Sequence, residues 1–475
     1  MKRLLWLMIL VLSLVCVLAS CGDNAKEIQR AFMNDEGEVI LVYTDGTTVN
    51  LGVVEKEQGE EVIDENPLGL AFFLKDDGTY VVEIGEAKYL SKIEIPATYS
   101  GKAVTEIGNF GMETGNNTTL TKITIPVGVT SIGEYAFRNC SSLTSITIPD
   151  SVTSIGEYVF RNCSSLTSIT IPDSVTSIGE YAFNCCRSLA SITIPDSVTS
   201  IGESAFYGCT SLTSITIPDG VTSIGRVAFC DCTSLASITI PDSVTSIGDH
   251  AFYGCTSLTS ITIPDSVTSI GWEAFSGCTS LASITIPDSV TSIGWDAFDD
   301  CTSLMNMTLG SGITCAAYYL GATDIVSVTL REGITSIGES AFNNCTSLTS
   351  ITIPDSVTSI GERAFYDCTS LTSITIPDGV TSIGEYAFLG CTSLTGITIP
   401  DGVTSIGANT FYRCTSLTSI TIPDSVISID GYAFSYCTSL VDIYYTGSAE
   451  NWEKIEGKNN VPRNATIHYD YTPED

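Results

Sequence analysis

Basic residues are scarce in this chain. Lysine and arginine together number 20 against 54 aspartates and glutamates, a net charge of −34. Nucleic acid needs a basic face that displaces counterions from phosphate, so no nucleic-acid partner is expected. Electrostatic docking on anionic lipid is disfavoured for the same reason. An acidic surface suits a more general task, keeping a long repetitive chain soluble. Histidine is scarcer still, with only His250 and His468. Neither stands in a nucleophile motif, and no Walker A or glycine-rich phosphate loop is present. The residues therefore offer no catalytic set and imply no enzyme, no cofactor and no metal.

Long apolar runs are also lacking, apart from one. Lys2 and Arg3 precede Leu4 to Leu18, and Ala19-Ser20-Cys21 follows. The run is short for a membrane span, which takes about 20 residues. Small residues at its end suit signal-peptide cleavage. Leu18-Ala-Ser-Cys21 resembles the lipobox of bacterial lipoproteins, and that resemblance implies cleavage before Cys21 and a lipid on Cys21. An ordinary secretory signal with an incidental cysteine is the alternative. No C-terminal apolar stretch offers a second anchor, so the membrane is expected to be reached through the Cys21 lipid only.

What the chain has in abundance is a repeat. Cys140-Ser-Ser-Leu-Thr-Ser-Ile-Thr-Ile-Pro-Asp-Ser-Val-Thr-Ser-Ile-Gly-Glu-Tyr-Val-Phe160-Arg-Asn is one copy of a 23-residue unit. Its cysteine recurs at Cys163, Cys186, Cys209, Cys232, Cys255, Cys278 and Cys301, then from Cys345 to Cys437. A fixed period of this length predicts a solenoid, because one unit cannot bury its own apolar face. Ile146-Thr-Ile148 alternates like a strand with one buried face, and Pro149 ends it. Val152-Thr-Ser-Ile155 predicts a second extended run. Gly156 turns the chain, and Val159-Phe160, usually Ala-Phe, suits one helical or 3₁₀ turn. Leu, Ile, Val, Ala, Phe and Cys at fixed positions are the expected core.

The pattern Cys-x-x-Leu-x-x-Ile-x-Ile-Pro-x-x-Val-x-x-Ile-Gly-x-x-Ala-Phe resembles the leucine-rich repeats of BspA-like bacterial surface proteins, over residues 90 to 445. The resemblance implies a curved right-handed solenoid, β-rich with a parallel sheet. It also implies envelope attachment and adhesion to host proteins, other bacteria or polysaccharide. The expected division is a signal peptide (1–20), a lipid-anchored tether with a β-hairpin and an acidic linker (21–66), an N-terminal cap with a degenerate first repeat (67–115), the solenoid (116–445) and a C-terminal cap (446–475). Within the tether, Asp45-Gly46 predicts the hairpin turn. Ser448 is an expected helix N-cap, and Ala465 to Tyr469 an expected closing strand. One copy, between Leu304 and Ile325, is short and lacks the usual proline. It marks either a kink or a junction between duplicated blocks.

Exported cysteines suggest disulfides. Stacked cysteines, however, present parallel Cβ vectors that suit free buried thiols better than an S–S torsion. Cys185 and Cys230 fall outside the cysteine period and are expected to face outward and react more readily. The aspartates after each proline, from Asp150 onward, form a column that could take calcium, although a turn Asp accepting backbone N–H groups is commoner. Serine and threonine on the strand face are monotonous. Aromatic variation gathers instead near each Gly and before each Cys, at Tyr135, Tyr158, Tyr181, Tyr207, Tyr253, Trp272, Trp295, Tyr366, Tyr386 and Tyr412. Such residues anchor interfaces and can stack on sugars, or they can cover the neighbouring coil. The expected function is that of a cell-surface lipoprotein adhesin binding a host or bacterial protein or glycan. A purely structural envelope protein is the alternative.

Overall fold

The computed structural model describes residues 28–33, 38–43, 48–53, 66, 68–111, 117–313, 315–316 and 324–472. The signal segment, Cys21 and the acidic linker lie outside the described residues. The chain divides into two units, residues 1–64 and 65–475. In the first unit the expected hairpin forms, Glu38–Tyr43 pairing antiparallel with Thr48–Val53. A further strand, Ile28–Met33, joins it to make a three-stranded meander.

The second unit is the solenoid. Most coils contribute a strand of the Ser-Ile-Thr type, and these pair in parallel with no slip of register: Ser145 with Ser168, Ser168 with Ser191. Alternation places Ile146 and Ile148 inside and Ser145 and Thr147 outside. The second run gives a shorter parallel ladder, as in Ser177–Ile178 with Ser200–Ile201. The segment expected to be a helical or 3₁₀ turn is a series of i→i+3 turns. Arg161 N donates to Tyr158 O and Cys163 N to Phe160 O, at 3.1 and 3.0 Å. Its alternate amides leave the coil. Tyr158 N, Phe160 N and Asn162 N donate to Glu180 O, Ala182 O and Asn184 O of the next coil at 2.7–2.9 Å. All three sides of the coil are thus stitched to a neighbour, so few backbone groups in the stack go unsatisfied.

That geometry requires two left-handed residues per coil. The residue before each period cysteine is one of them, and there Asn139, Asn162, Gly208, Asp231, Gly254 and Gly277 tolerate positive φ. The other is two residues after the turn glycine and carries Tyr135, Val227 or Glu273 among others. The turn glycine itself answers close approach. A Cβ on Gly294 would land on the backbone of Gly271 and Trp272 in the preceding coil.

Stacked copies bury one continuous core, each larger side chain contributing roughly 1.5–3 kcal/mol. The phenylalanines form a ladder with ring centroids 5.3 Å apart from Phe206 to Phe229 and 5.5 Å apart from Phe275 to Phe298. Both ends are closed. The hairpin Ala71–Leu74 with Tyr80–Glu83 pairs onto Lys102–Ile107 and covers the first coil. At the other end Ser448 caps a single helical turn, Ala449–Trp452, which buries Trp452. Thr466–His468 then extends the first ladder beyond Asp442–Tyr445, and a Ser428–Glu456 bridge closes the second. The short coil does not interrupt the first ladder, since Asn306–Leu309 pairs with both Ser283–Thr285 and Ser327–Leu330. In the second ladder Ser292–Ile293 ends one sheet and Cys315–Ala316 begins another, as also happens between Ser200–Ile201 and Ser223–Ile224.

Candidate functional site

The period cysteines described in the structure are free thiols. Apart from Cys345, each donates from Sγ to the phenylalanine carbonyl of the preceding coil. Cys163 reaches Phe137 O at 3.1 Å and Cys255 reaches Phe229 O at 3.2 Å. Burial pushes the Cys140, Cys301 and Cys345 thiols up to about 12. These groups are structural donors in a dry core and poor nucleophiles. Cys185 is half-buried, but Cys230 is buried, contrary to the expectation that both face outward. Burial, then the nearby Asp231, pushes the Cys230 thiol up to about 12. The difference is positional: Cys230 directly follows the core Phe229, whereas Cys185 sits at the left-handed turn position.

The hydroxyl groups are partly consumed by the backbone. Ser174 Oγ donates to Val152 O at 2.6 Å, and Thr144 Oγ1 to Thr121 O at 3.1 Å, each in the coil before. Among the described residues no cluster of three His, Cys, Asp or Glu side chains is placed to hold a metal ion. Asp288, in the proline-following column, accepts from Ser311 N at 2.9 Å and pairs with Arg331 at 3.3 Å. Its carboxyl is held below the usual range chiefly by the Ser311 amide.

The expected aromatic ridge divides into three columns. Tyr135, Tyr158, Tyr181 and Tyr386 occupy the left-handed position after the turn glycine. The first three stack on one another at 4.9 and 4.7 Å, and Arg138 and Arg161 lie over their rings. Arg363 lies over Tyr386 in the same manner. Tyr158 and Tyr181 are half-buried, while Tyr135 at the end of the stack is exposed. Tyr207, Tyr253, Tyr366 and Tyr412 follow the core phenylalanine. Tyr207, Tyr366 and Tyr412 are half-buried, while Tyr253 is exposed.

Trp272 and Trp295 form the third column, directly after the glycine, and are 50% and 59% exposed. They wall an open groove of about 540 Å³ that runs along the second ladder past Ser246, Ser269 and Ser292, with Arg226 at one end. Behind them runs a titratable column. His250 stands 5.2 Å from the Trp272 ring and 3.4 Å from a Glu273 oxygen. Next in that column is Asp296, whose carboxyl is raised by burial and then by Glu273. The groove therefore joins two large apolar faces to polar and ionisable groups, which is the composition of an interface anchor. Two exposed aromatics were missing from the expected ridge, Tyr432 and Tyr436 in the last cysteine coil. A signal existed, since Tyr432 stands at the same repeat position as Tyr386.

The model of the BspA type leucine rich repeat region (6 copies) matches residues 105–236, 222–345 and 313–441. The chain belongs to the BspA-type leucine-rich-repeat family. A crystal structure of a leucine-rich repeat protein from Bacteroides ovatus ATCC 8483 is similar, with 32% identity and a TM-score of 0.66, over 86% of this chain and 100% of that one. A leucine rich cell surface protein from Faecalibacterium prausnitzii A2-165 is also 32% identical, over 82% of this chain and 96% of that one, with a TM-score of 0.37. No curated protein matches the chain. In this BspA-type chain, as the coil geometry requires, the repeat consensus is core and backbone support. What differs between coils lies on the aromatic columns and at the ends.

Proposed function

We propose that the protein is an exported adhesin, held in the cell envelope by a lipid on Cys21, that binds a protein or glycan through the groove beside Trp272 and Trp295. It carries no chemistry of its own. One observation carries this reading: two half-exposed tryptophans border a groove lined otherwise by Ser, Gly, Ile, Asp249 and Arg226. Membership of the BspA-type family and the likeness to a cell-surface protein support the location.

The test is a glycan and extracellular-matrix array probed with the full chain, followed by titration of whatever binds. Trp272→Ala with Trp295→Ala should lower affinity about thirtyfold, the equivalent of about 2 kcal/mol. Thr262→Ala with Thr285→Ala, on the exposed strand face, should change little. If the threonine pair matters and the tryptophans do not, the site lies on the hydroxyl face. No saturable binding to any probe would favour a purely structural envelope role, for which the self-covering stack of Tyr135, Tyr158 and Tyr181 speaks.

A further inference from the structure

The C-terminal end of the array carries a second surface whose chemistry differs from that around it. The last cysteine coil and the cap segment 459–464 enclose an open cleft of about 700 Å³. Tyr432, Ser435, Tyr436, Asn459, Arg463 and Asn464 contribute to its lining, and no aspartate or glutamate does, in a chain that has 54. Tyr432 and Tyr436 are 68% and 62% exposed, more than either tryptophan of the groove. Both hold positive φ, which disfavours a large side chain. At the position of Tyr436 most other coils have Asn, Asp or Gly. Tyr436 meets the Tyr412 ring edge-on, with centroids 5.1 Å apart, and Tyr432 repeats the tyrosine of Tyr386, yet both rings stay largely exposed.

The walls of the cleft are fixed from behind. Asn460 Nδ2 donates to Ile429 O at 2.8 Å, and Val461 packs on the core. The groups facing the cleft are, by contrast, uncommitted. Among the described residues Arg463 has no ionic partner, and the side-chain amides of Asn459 and Asn464 have no hydrogen bond. Exposed tyrosine faces suit the C–H face of a sugar ring, amides suit its hydroxyls, and an unpaired guanidinium suits a carboxylate. Arg463 is the one charged side chain among the described residues that line the cleft.

We propose that this cleft binds a glycan through a sugar ring that carries a carboxylate, the ring lying on Tyr432 or Tyr436 and the carboxylate pairing with Arg463. The site shares no residue with the tryptophan groove and does not depend on it. Calorimetric titration of the full chain with an oligosaccharide ending in glucuronate, against its glucose-ended counterpart, tests this. The acidic ligand should bind at least tenfold more tightly, and Arg463→Gln should abolish that preference. Tyr432→Ala with Tyr436→Ala should remove binding of both ligands. Tyr432→Phe with Tyr436→Phe should retain it, which separates loss of the ring face from loss of fold. Trp272→Ala with Trp295→Ala should leave this titration unchanged. Equal affinity for the two ligands, no binding of either, or a preference that survives Arg463→Gln would each overturn the proposal.

Discussion

The buried thiols should make this solenoid sensitive to alkali. Burial raises Cys140, Cys301 and Cys345 from the ordinary 9.0 to about 12. In the unfolded chain these thiols release their protons first, so the folded state binds more protons through that interval. Their contribution is fully present below pH 9 and is lost as pH rises toward 12. At about pH 10, one unit above the ordinary thiol value, each costs about 1.4 kcal/mol of stability, or about 4 kcal/mol for the three. The assay is urea denaturation of the full chain, with reductant, near pH 8 and near pH 10, compared with a triple variant. Cys140→Ala, Cys301→Ala and Cys345→Ala together should lower stability near pH 8, because packing and S–H donors are lost. The same variant should lose about 4 kcal/mol less than the parent on going to pH 10. Tyrosine ionisation and charge repulsion act on both proteins alike, so the difference isolates the thiols. An identical pH loss in parent and variant would refute the reasoning.

Cys21→Ser should abolish lipid labelling and release the protein from membranes; membrane association that persists in the variant would remove the lipoprotein assignment. Native thiol labelling followed by mass spectrometry should find Cys185 first among the described cysteines, with Cys230 and the period cysteines reacting only on denaturation. Inter-repeat disulfides in a non-reduced sample would contradict that order. Val227 is a β-branched residue at a φ of 58°, so Val227→Asn should raise stability by about 1 kcal/mol, read as a higher urea midpoint. An unchanged or lowered midpoint would show that no strain resides there.

The repeat period, the strand and its register, the identity of the core and the thiol ladder were all legible in the linear chain. They are legible because a solenoid converts spacing into contact: residues 23 apart become neighbours, as Ser145 and Ser168 do. The Ser448 helix cap and the closing strand Thr466–His468 were legible where the repeat consensus ends. The strand Ile28–Met33 went unseen because an antiparallel partner leaves no periodic trace. The buried position of Cys230 was hidden because it follows Phe229 without joining the cysteine period. The left-handed turn positions could have been found from the Asn, Asp and Gly that precede most period cysteines.

Function divides along the same line. The sequence by itself determined which positions are core and backbone support, because identical side chains recurring every coil must satisfy identical neighbours. It also determined which positions vary. It did not decide which variable aromatics pack and which face solvent. Tyr135, Tyr158 and Tyr181 stack because three consecutive coils carry the same ring at the same position, with arginines to cover them. Trp272 and Trp295 border an open groove because they lie one residue earlier, beside the second ladder. The cleft at Tyr432, Tyr436 and Arg463 exists only in the tertiary structure. Its two walls come from the last coil and from the cap that folds back on it, and no spacing along the chain brings those segments together.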